Sequence, residues 1–203
     1  MSVSRANDLL ARAANEANRL ERHLLVAAAL REVLDREPVV VGGTAEDQYT
    51  GDVYRGTDLD LCGWVAVDEE PILRKLGFVR DGRHWVHTPS KVAVEFPGSR
   101  IDGDEARVLR RPTGGGIAAV IGVDDLYLDR IRQATADDRA SDGRGARAGL
   151  AVALAAYDEI DWRYVERVIG KTEQDNPLVG KPMREIHKKV RRRLLSALKD
   201  SGR

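Results

Sequence analysis

Residues 4–36 place apolar side chains at helical spacing: Leu9, Leu10, Ala13, Ala17, Leu20, Leu24, Ala27, Leu30 and Leu34. This predicts one long or two consecutive amphipathic helices, closed by Pro38. The run 39–41, "VVV", predicts a short buried strand stopped by Gly42-Gly43, and residues 44–49 predict a short helix. A turn is predicted at "TGD", 50–52. Over 57–67, "TDLDLCGWVAV", the pattern alternates as in a strand, with Leu59 and Leu61 on one face and Asp58, Asp60 and Cys62 on the other. Residues 68–78 predict a helix with acids in its first turn and Gly77 at its end. A hairpin turning at Asp81-Gly82 follows, then a strand "KVAVEF" ended by Pro97. "RVLRR", the turn "PTGGG" and "IAAVIG" predict two more strands. Asp124 or Asp125 is expected to cap a helix running to about Ala136. Residues 135–149 pattern as a loop or weak helix. Helices are predicted over 147–157, 161–170 and 182–199. The expected fold class is α+β: a small mixed β-sheet flanked by helices, with a helical C-terminal region. The expected division is 1–135 for the N-terminal helix plus mixed sheet and 136–203 for the helical region.

The composition is globular: 203 residues, 42% apolar, 33% charged and 5% aromatic. Formal net charge is zero, so no global field attracts a polyanion or a membrane, and any such partner must be found in local patches. Cys62 is the single cysteine, which excludes an internal disulfide and a zinc site built on cysteines. With no apolar run of spanning length and a charged N-terminus, the expectation is a cytoplasmic protein.

Asp58 and Asp60 raise the chemical question. In a strand they share one face, with Cα atoms roughly 7 Å apart. Buried without partners, two such carboxylates repel each other. Hard oxygen ligands at this spacing suit magnesium, which also binds substrate phosphates. Glu95, on the strand "KVAVEF", points to the face opposite Val92, Val94 and Phe96. A strand paired beside 57–63 would bring Glu95 against the two aspartates and create a three-carboxylate site for in-line phosphoryl transfer. The bland alternative is a solvated sheet face whose acids meet arginines. Gly42-Gly43, between a strand and a helix, can present backbone N–H groups to an anion, with the Thr44 hydroxyl beside them. The alternative there is a plain turn capped by Thr44.

The ordered set of apolar strand, Gly-Gly-Thr, short helix, Asp-apolar-Asp-apolar and a later strand acid resembles the nucleotidyltransferase superfamily with the DNA polymerase β-like fold. "VVVGGTAEDQY", "YRGTDLDL", "RHWV", "VEFP" and "VIGVDDLYLDRIRQA" resemble small prokaryotic members related to AbiEii-type toxins and minimal nucleotidyltransferases. The resemblance covers about residues 30–135. It implies metal-dependent transfer of a nucleotidyl group from an NTP to a hydroxyl acceptor, with release of pyrophosphate. The implied cofactor is Mg²⁺ or Mn²⁺, and the implied acceptor is an RNA 3′ end such as tRNA, or a protein side chain. It further implies that Asp58, Asp60 and Glu95 hold metal and perform catalysis. Gly42, Gly43, Thr44, Arg55, Thr57 and Arg130 would contact the nucleotide. The chain departs from the pattern in three places. Fourteen residues separate Gly43 from Asp58, Thr44 stands where Ser is commoner, and the third acid is Glu. The second reading is a catalytically silent member of the same fold, acting as an antitoxin or as a regulatory partner. A third is a metal-dependent phosphohydrolase.

Other features are weaker. His84 and His87 could bind metal or stack on a base, but the pattern favours a sheet-edge aromatic flanked by solvated histidines. Trp64 and Trp162 are expected in a core or an interface. The C-terminal helix is basic on one side and apolar at Ile186, Val190, Leu194 and Leu198. That side is either a surface for RNA phosphate or an acidic partner, or a solvated helix face.

Overall fold

The computed structural model describes residues 2–51, 57–137 and 143–201. The chain forms two compact units, Met1–Gly122 and Val123–Arg203. The first holds a seven-stranded mixed sheet with helices packed on it. The second is built from helices.

The N-terminal periodicity resolves into two helices, α1 (Val3–Asn15) and α2 (Arg19–Arg31). The break is made by capping. Asn18 accepts a hydrogen bond from the Glu21 N–H at 3.0 Å and so starts α2 afresh. α1 buries one stripe, Ala6, Leu9, Leu10 and Ala13, whereas α2 buries every residue from His23 to Leu30. α2 packs on the sheet and under α1, so both of its faces are covered.

The strands are β1 (Val39–Val40), β2 (Leu59–Cys62), β3 (Phe78–Asp81), β4 (His84–His87), β5 (Val92–Gly98), β6 (Leu109–Thr113) and β7 (Gly116–Val120). Their order across the sheet is β3-β4-β5-β2-β1-β7-β6. β2/β5 and β1/β7 are parallel, and the other neighbours are antiparallel. The register carries the functional consequence. Asp60 stands beside Glu95, and Glu95 stands beside His84 on the other flank. Period-two alternation then sends Leu59, Val94 and Trp85 to the buried face and Asp60, Glu95 and His84 to the other.

Several boundaries differ from the sequence pattern. β1 is two residues long because Val41 is the N-cap of α3 (Gly42–Thr50), so Gly42-Gly43 opens that helix rather than preceding it. Gly51, with φ +73°, closes α3 as a left-handed cap. β2 stops at Cys62, where Gly63 takes φ +150°. α4 (Glu70–Lys75) ends before Gly77 at φ +88°, as the pattern predicts. β5 continues through Pro97 to Gly98, since a proline near a strand end removes only one ladder donor. A 3₁₀ turn, Glu105–Arg107, precedes β6.

In the second unit the helices are α5 (Val123–Ala134), α6 (Arg144–Ala155), α7 (Trp162–Asp175) and α8 (Pro177–Asp200). Asp124 and Asp125 do not cap α5. They lie inside its first turn and accept from the Asp161 N–H at 2.6 Å and from Tyr164 Oη at 2.7 Å. α8 starts five residues before the expected Pro182, with Pro177 at the first turn, where its missing N–H costs nothing. Gly180 permits the tight α7–α8 corner, because a Cβ there would lie 2.2 Å from the Glu173 Cα. Among the described residues, no helix is long and apolar enough to cross a membrane.

Leu61 is fully buried on β2, between β1 and β5. Leu61→Ala should lower unfolding free energy by about 3 kcal/mol, read from the urea midpoint at unchanged m-value.

Candidate metal and nucleotide site

The sheet face opposite the core gathers charge from three adjacent strands. Asp58 lies at the head of β2, Glu95 on β5 and His84 at the start of β4. One ligand atom from each of these three lies within 4.8 Å of the others. His84 Nε2 is 3.4 Å from Glu95 Oε2 and 4.0 Å from Asp58 Oδ2. Side-chain exposure is 36% for Asp58, 28% for His84 and 16% for Glu95, so the cluster is half-sunk and open to solvent on one side. Arg83, from the two-residue hairpin loop, adds its Nε at 3.3 Å from Glu95 Oε2.

Asp60 occupies the next position on this face but aims elsewhere. Its Oδ2 lies directly over Gly42, where an added Cβ would stand only 2.1 Å away. Gly42 also has φ +61°, a conformation that glycine adopts without steric cost. The carboxylate therefore lies at the first turn of α3, the end of a helix that favours negative charge. Val41, the N-cap residue, makes no side-chain capping hydrogen bond. Gly42 and Gly43 thus form a helix start that approaches β2 without side chains in between.

Thr44 turns inward. Its side chain is buried, its hydroxyl lies 2.8 Å from His23 Nδ1, and it donates to the Asp58 carbonyl at 3.4 Å. It ties α2 and α3 to the strand head that carries Asp58. Tyr49 Oη donates to the Ile121 carbonyl at 2.8 Å and anchors the far end of α3. Thr57 is exposed, immediately before Asp58. Arg55 lies outside the described residues. Arg130 lies on α5 in the second unit, buried and paired with Asp129.

The structure corrects the expectation for both histidines, excludes the core alternative for Trp64 and adds two residues. His87 is not solvated: it is buried, hydrogen-bonded to Ser90 Oγ at 2.8 Å and packed on Phe78. His84 is part of the acidic cluster. The signal was available by counting, since a two-residue loop after Asp81 sets β4 in register with β3 and the turn over residues 88–91 sets it in register with β5. Trp64 is no core residue. It is 39% exposed, with the Arg36 guanidinium stacked 4.0 Å from its ring centroid. His23 and Arg83 carry no sequence signal of their own. His23 lies inside an unbroken buried helix stretch, and Arg83 gains meaning only through the hairpin.

Burial, followed by the nearby Arg19 and Arg22 guanidinium groups, lowers the His23 pKa to about 4. Arg19 is itself held by buried Asp47 through Nη2 at 2.5 Å.

No family model matches the chain, and no curated protein matches it. A solved structure does. The crystal structure of an antigenic nucleotidyltransferase-like protein from Paracoccidioides brasiliensis aligns with a TM-score of 0.51 at 15% identity. The match covers 83% of this chain and 93% of that one. The fold is nucleotidyltransferase-like. At this identity the likeness fixes the architecture and leaves the chemistry to the residues of the site. Within the nucleotidyltransferase-like fold, the acidic face of β2 and β5 lies beside the glycine start of α3.

Neutral His23 is favoured in the folded state, whose pKa lies below the unfolded value of about 6.5. Its contribution to stability is present above pH 6.5 and lost as pH falls toward 4, because the unfolded chain takes up the proton first. His23→Gln should flatten the fall in stability between pH 6.5 and 4 by on the order of 1 kcal/mol per pH unit. Urea denaturation of both proteins across that range measures the difference.

Proposed function

We propose that the protein transfers a nucleotidyl group from an NTP to a hydroxyl acceptor in a metal-dependent reaction. One observation carries this reading: Asp58, Glu95 and His84 converge within 4.8 Å on three adjacent strands, beside Asp60 and the glycine start of α3. The nucleotidyltransferase-like fold supports it. The donor set fits a small divalent cation. Carboxylate oxygens suit Mg²⁺ or Mn²⁺, and the imidazole of His84 makes Mn²⁺ the better fit of the two. Asp58 and Glu95 would hold the ion, with Asp60 contributing from the α3 side. When bound, the ion neutralises phosphate charge and aligns the reacting oxygens.

The chain's own residues have distinct tasks in this scheme. The acceptor oxygen attacks the α-phosphorus, the bond to the β-phosphate oxygen breaks and pyrophosphate leaves. Glu95 takes the hydroxyl proton. The first-turn amides of α3, at Gly42 and Gly43, face the departing phosphates. Thr44 acts from behind, holding the Asp58 backbone through its link to His23. Arg55, Thr57 and Arg130 remain proposed nucleotide contacts. The acceptor is an RNA 3′ end or a protein side chain.

A second reading has its own observation. Arg83 Nε lies 3.3 Å from Glu95 Oε2, an ion pair that a non-catalytic binding protein of this fold would keep. Such a protein would act as an antitoxin or regulatory partner.

The discriminating assay incubates the protein with α-labelled NTPs, Mn²⁺ or Mg²⁺, and RNA or protein acceptors. Labelled product and pyrophosphate are expected, with Asp58→Ala reducing the rate on the order of 100-fold or more. Gly42→Ala should also depress Mn²⁺ binding in calorimetry, because its Cβ must displace the Asp60 carboxylate. Undiminished metal and NTP binding by Asp58→Ala would sink the catalytic reading.

A further inference from the structure

α8 carries eight Lys or Arg residues against two acids, in a chain whose formal net charge is zero. At 100° per residue, Lys181, Lys188, Arg192 and Lys199 fall within about 40° of one another on the helix circumference. All four are exposed. Met183, Ile186, Val190 and Leu194 lie on the opposite side and are buried. The exposed stripe therefore has charge, while the main apolar face is already used inside the unit.

A cavity of about 380 Å³ opens beside this stripe, lined by Glu166, Glu185, His187, Lys188, Arg191 and Arg192. Both carboxylates in it are engaged. Glu166 accepts from His187 Nε2 at 2.9 Å and lies 3.5 Å from Arg184 Nη1, while Glu185 pairs with Lys188 at 2.9 Å. His187 Nδ1, on the other side of the ring, accepts from Tyr127 Oη at 2.9 Å. Arg191 stacks its guanidinium 3.9 Å from the Trp162 ring centroid. Its Nη1 is buried and finds no hydrogen-bond acceptor among the described residues. A buried guanidinium N–H without an acceptor is destabilising until an oxyanion supplies one.

We infer that α8 is a docking surface for a nucleic-acid backbone, with one phosphate seated in the Arg191 cavity. Lys188 and Arg192 flank that phosphate, and Lys181 and Lys199 reach neighbouring ones along the helix. Three features favour this partner. The Arg191 guanidinium lines the cavity and carries an Nη1 without an acceptor among the described residues, a donor that matches a phosphate oxygen. The charges repeat along one line, as backbone phosphates do. A bilayer would require a continuous exposed apolar stripe beside the cations; here Leu178 and Leu195 are isolated exposed side chains at opposite ends of the helix, and Met183, Ile186, Val190 and Leu194 are committed inward. The surface belongs to the helical unit and does not depend on the catalytic reading of the sheet site.

The test uses the full chain and a fluorescein-labelled 20-nucleotide oligo-U RNA, with anisotropy titrations from 50 to 300 mM KCl. Wild type should bind with a steep salt dependence. The Lys188→Glu/Arg192→Glu variant should weaken binding at least about tenfold and reduce the salt slope by about one to two units. Arg191→Gln should weaken binding about tenfold, with Lys199→Glu as the check should Arg191→Gln melt early by circular dichroism. Lys75→Glu, an exposed charge reversal on α4, should bind as wild type does. No binding at 50 mM KCl, binding unchanged in the double variant, or an equal loss in Lys75→Glu would overturn the inference. So would capture by phosphatidylserine vesicles without RNA binding.

Discussion

The constraint behind the first unit is the crowding of three carboxylates on one sheet face. Asp58, Asp60 and Glu95 come from paired parallel strands whose register cannot slip without moving Leu59, Leu61 and Val94 out of the core. Apolar burial on one face therefore forces like charges together on the other. The surrounding structure answers that repulsion in two directions. Asp60 is drawn aside to the start of α3, over a glycine with no Cβ to obstruct it. Glu95 meets His84 and Arg83 from the neighbouring hairpin. Asp58 stands between these two arrangements, with its backbone held by Thr44.

The supporting layer has the same logic one step deeper. Thr44 can reach the Asp58 carbonyl because α3 begins at Gly42, one residue after β1. His23 can reach Thr44 because α2 is buried all round and places a polar ring among leucines and alanines. A buried neutral imidazole of this kind satisfies one hydroxyl at the expense of acid stability. The position of a half-exposed carboxylate is thus governed by a wholly buried histidine on another helix.

How much of this was legible follows from which interactions are local. The alternation around Asp58 and Asp60 is local, so the strand and its polar face could be read directly. The partnership with Glu95 needed only the assumption that two strands pair, and the register meets it. His84 required the hairpin loop to be counted as two residues and then extended to a third strand, and the pattern alone left it among solvated histidines. His23 was not readable, because inside an apolar helix a histidine looks the same whether it meets a hydroxyl or a void. The start of α3 at Gly42 was hidden because two glycines signal an interruption by propensity. Here, proximity to Asp60 sets their use. Pro182 misled in the same way, since α8 had already started at Pro177.

The two groups beside Glu95 differ in how freely they can withdraw. Arg83 is 73% exposed and sits on a two-residue loop, so releasing its ion pair returns a guanidinium to water at little net cost. His84 is fixed by strand pairing to β3 and β5, and its ring stays near the carboxylates whether or not Arg83 is engaged. An incoming divalent cation would therefore compete with Arg83 and gain His84 as a neighbour. For such a cation, the compensating charge that would have to leave is the one attached most loosely.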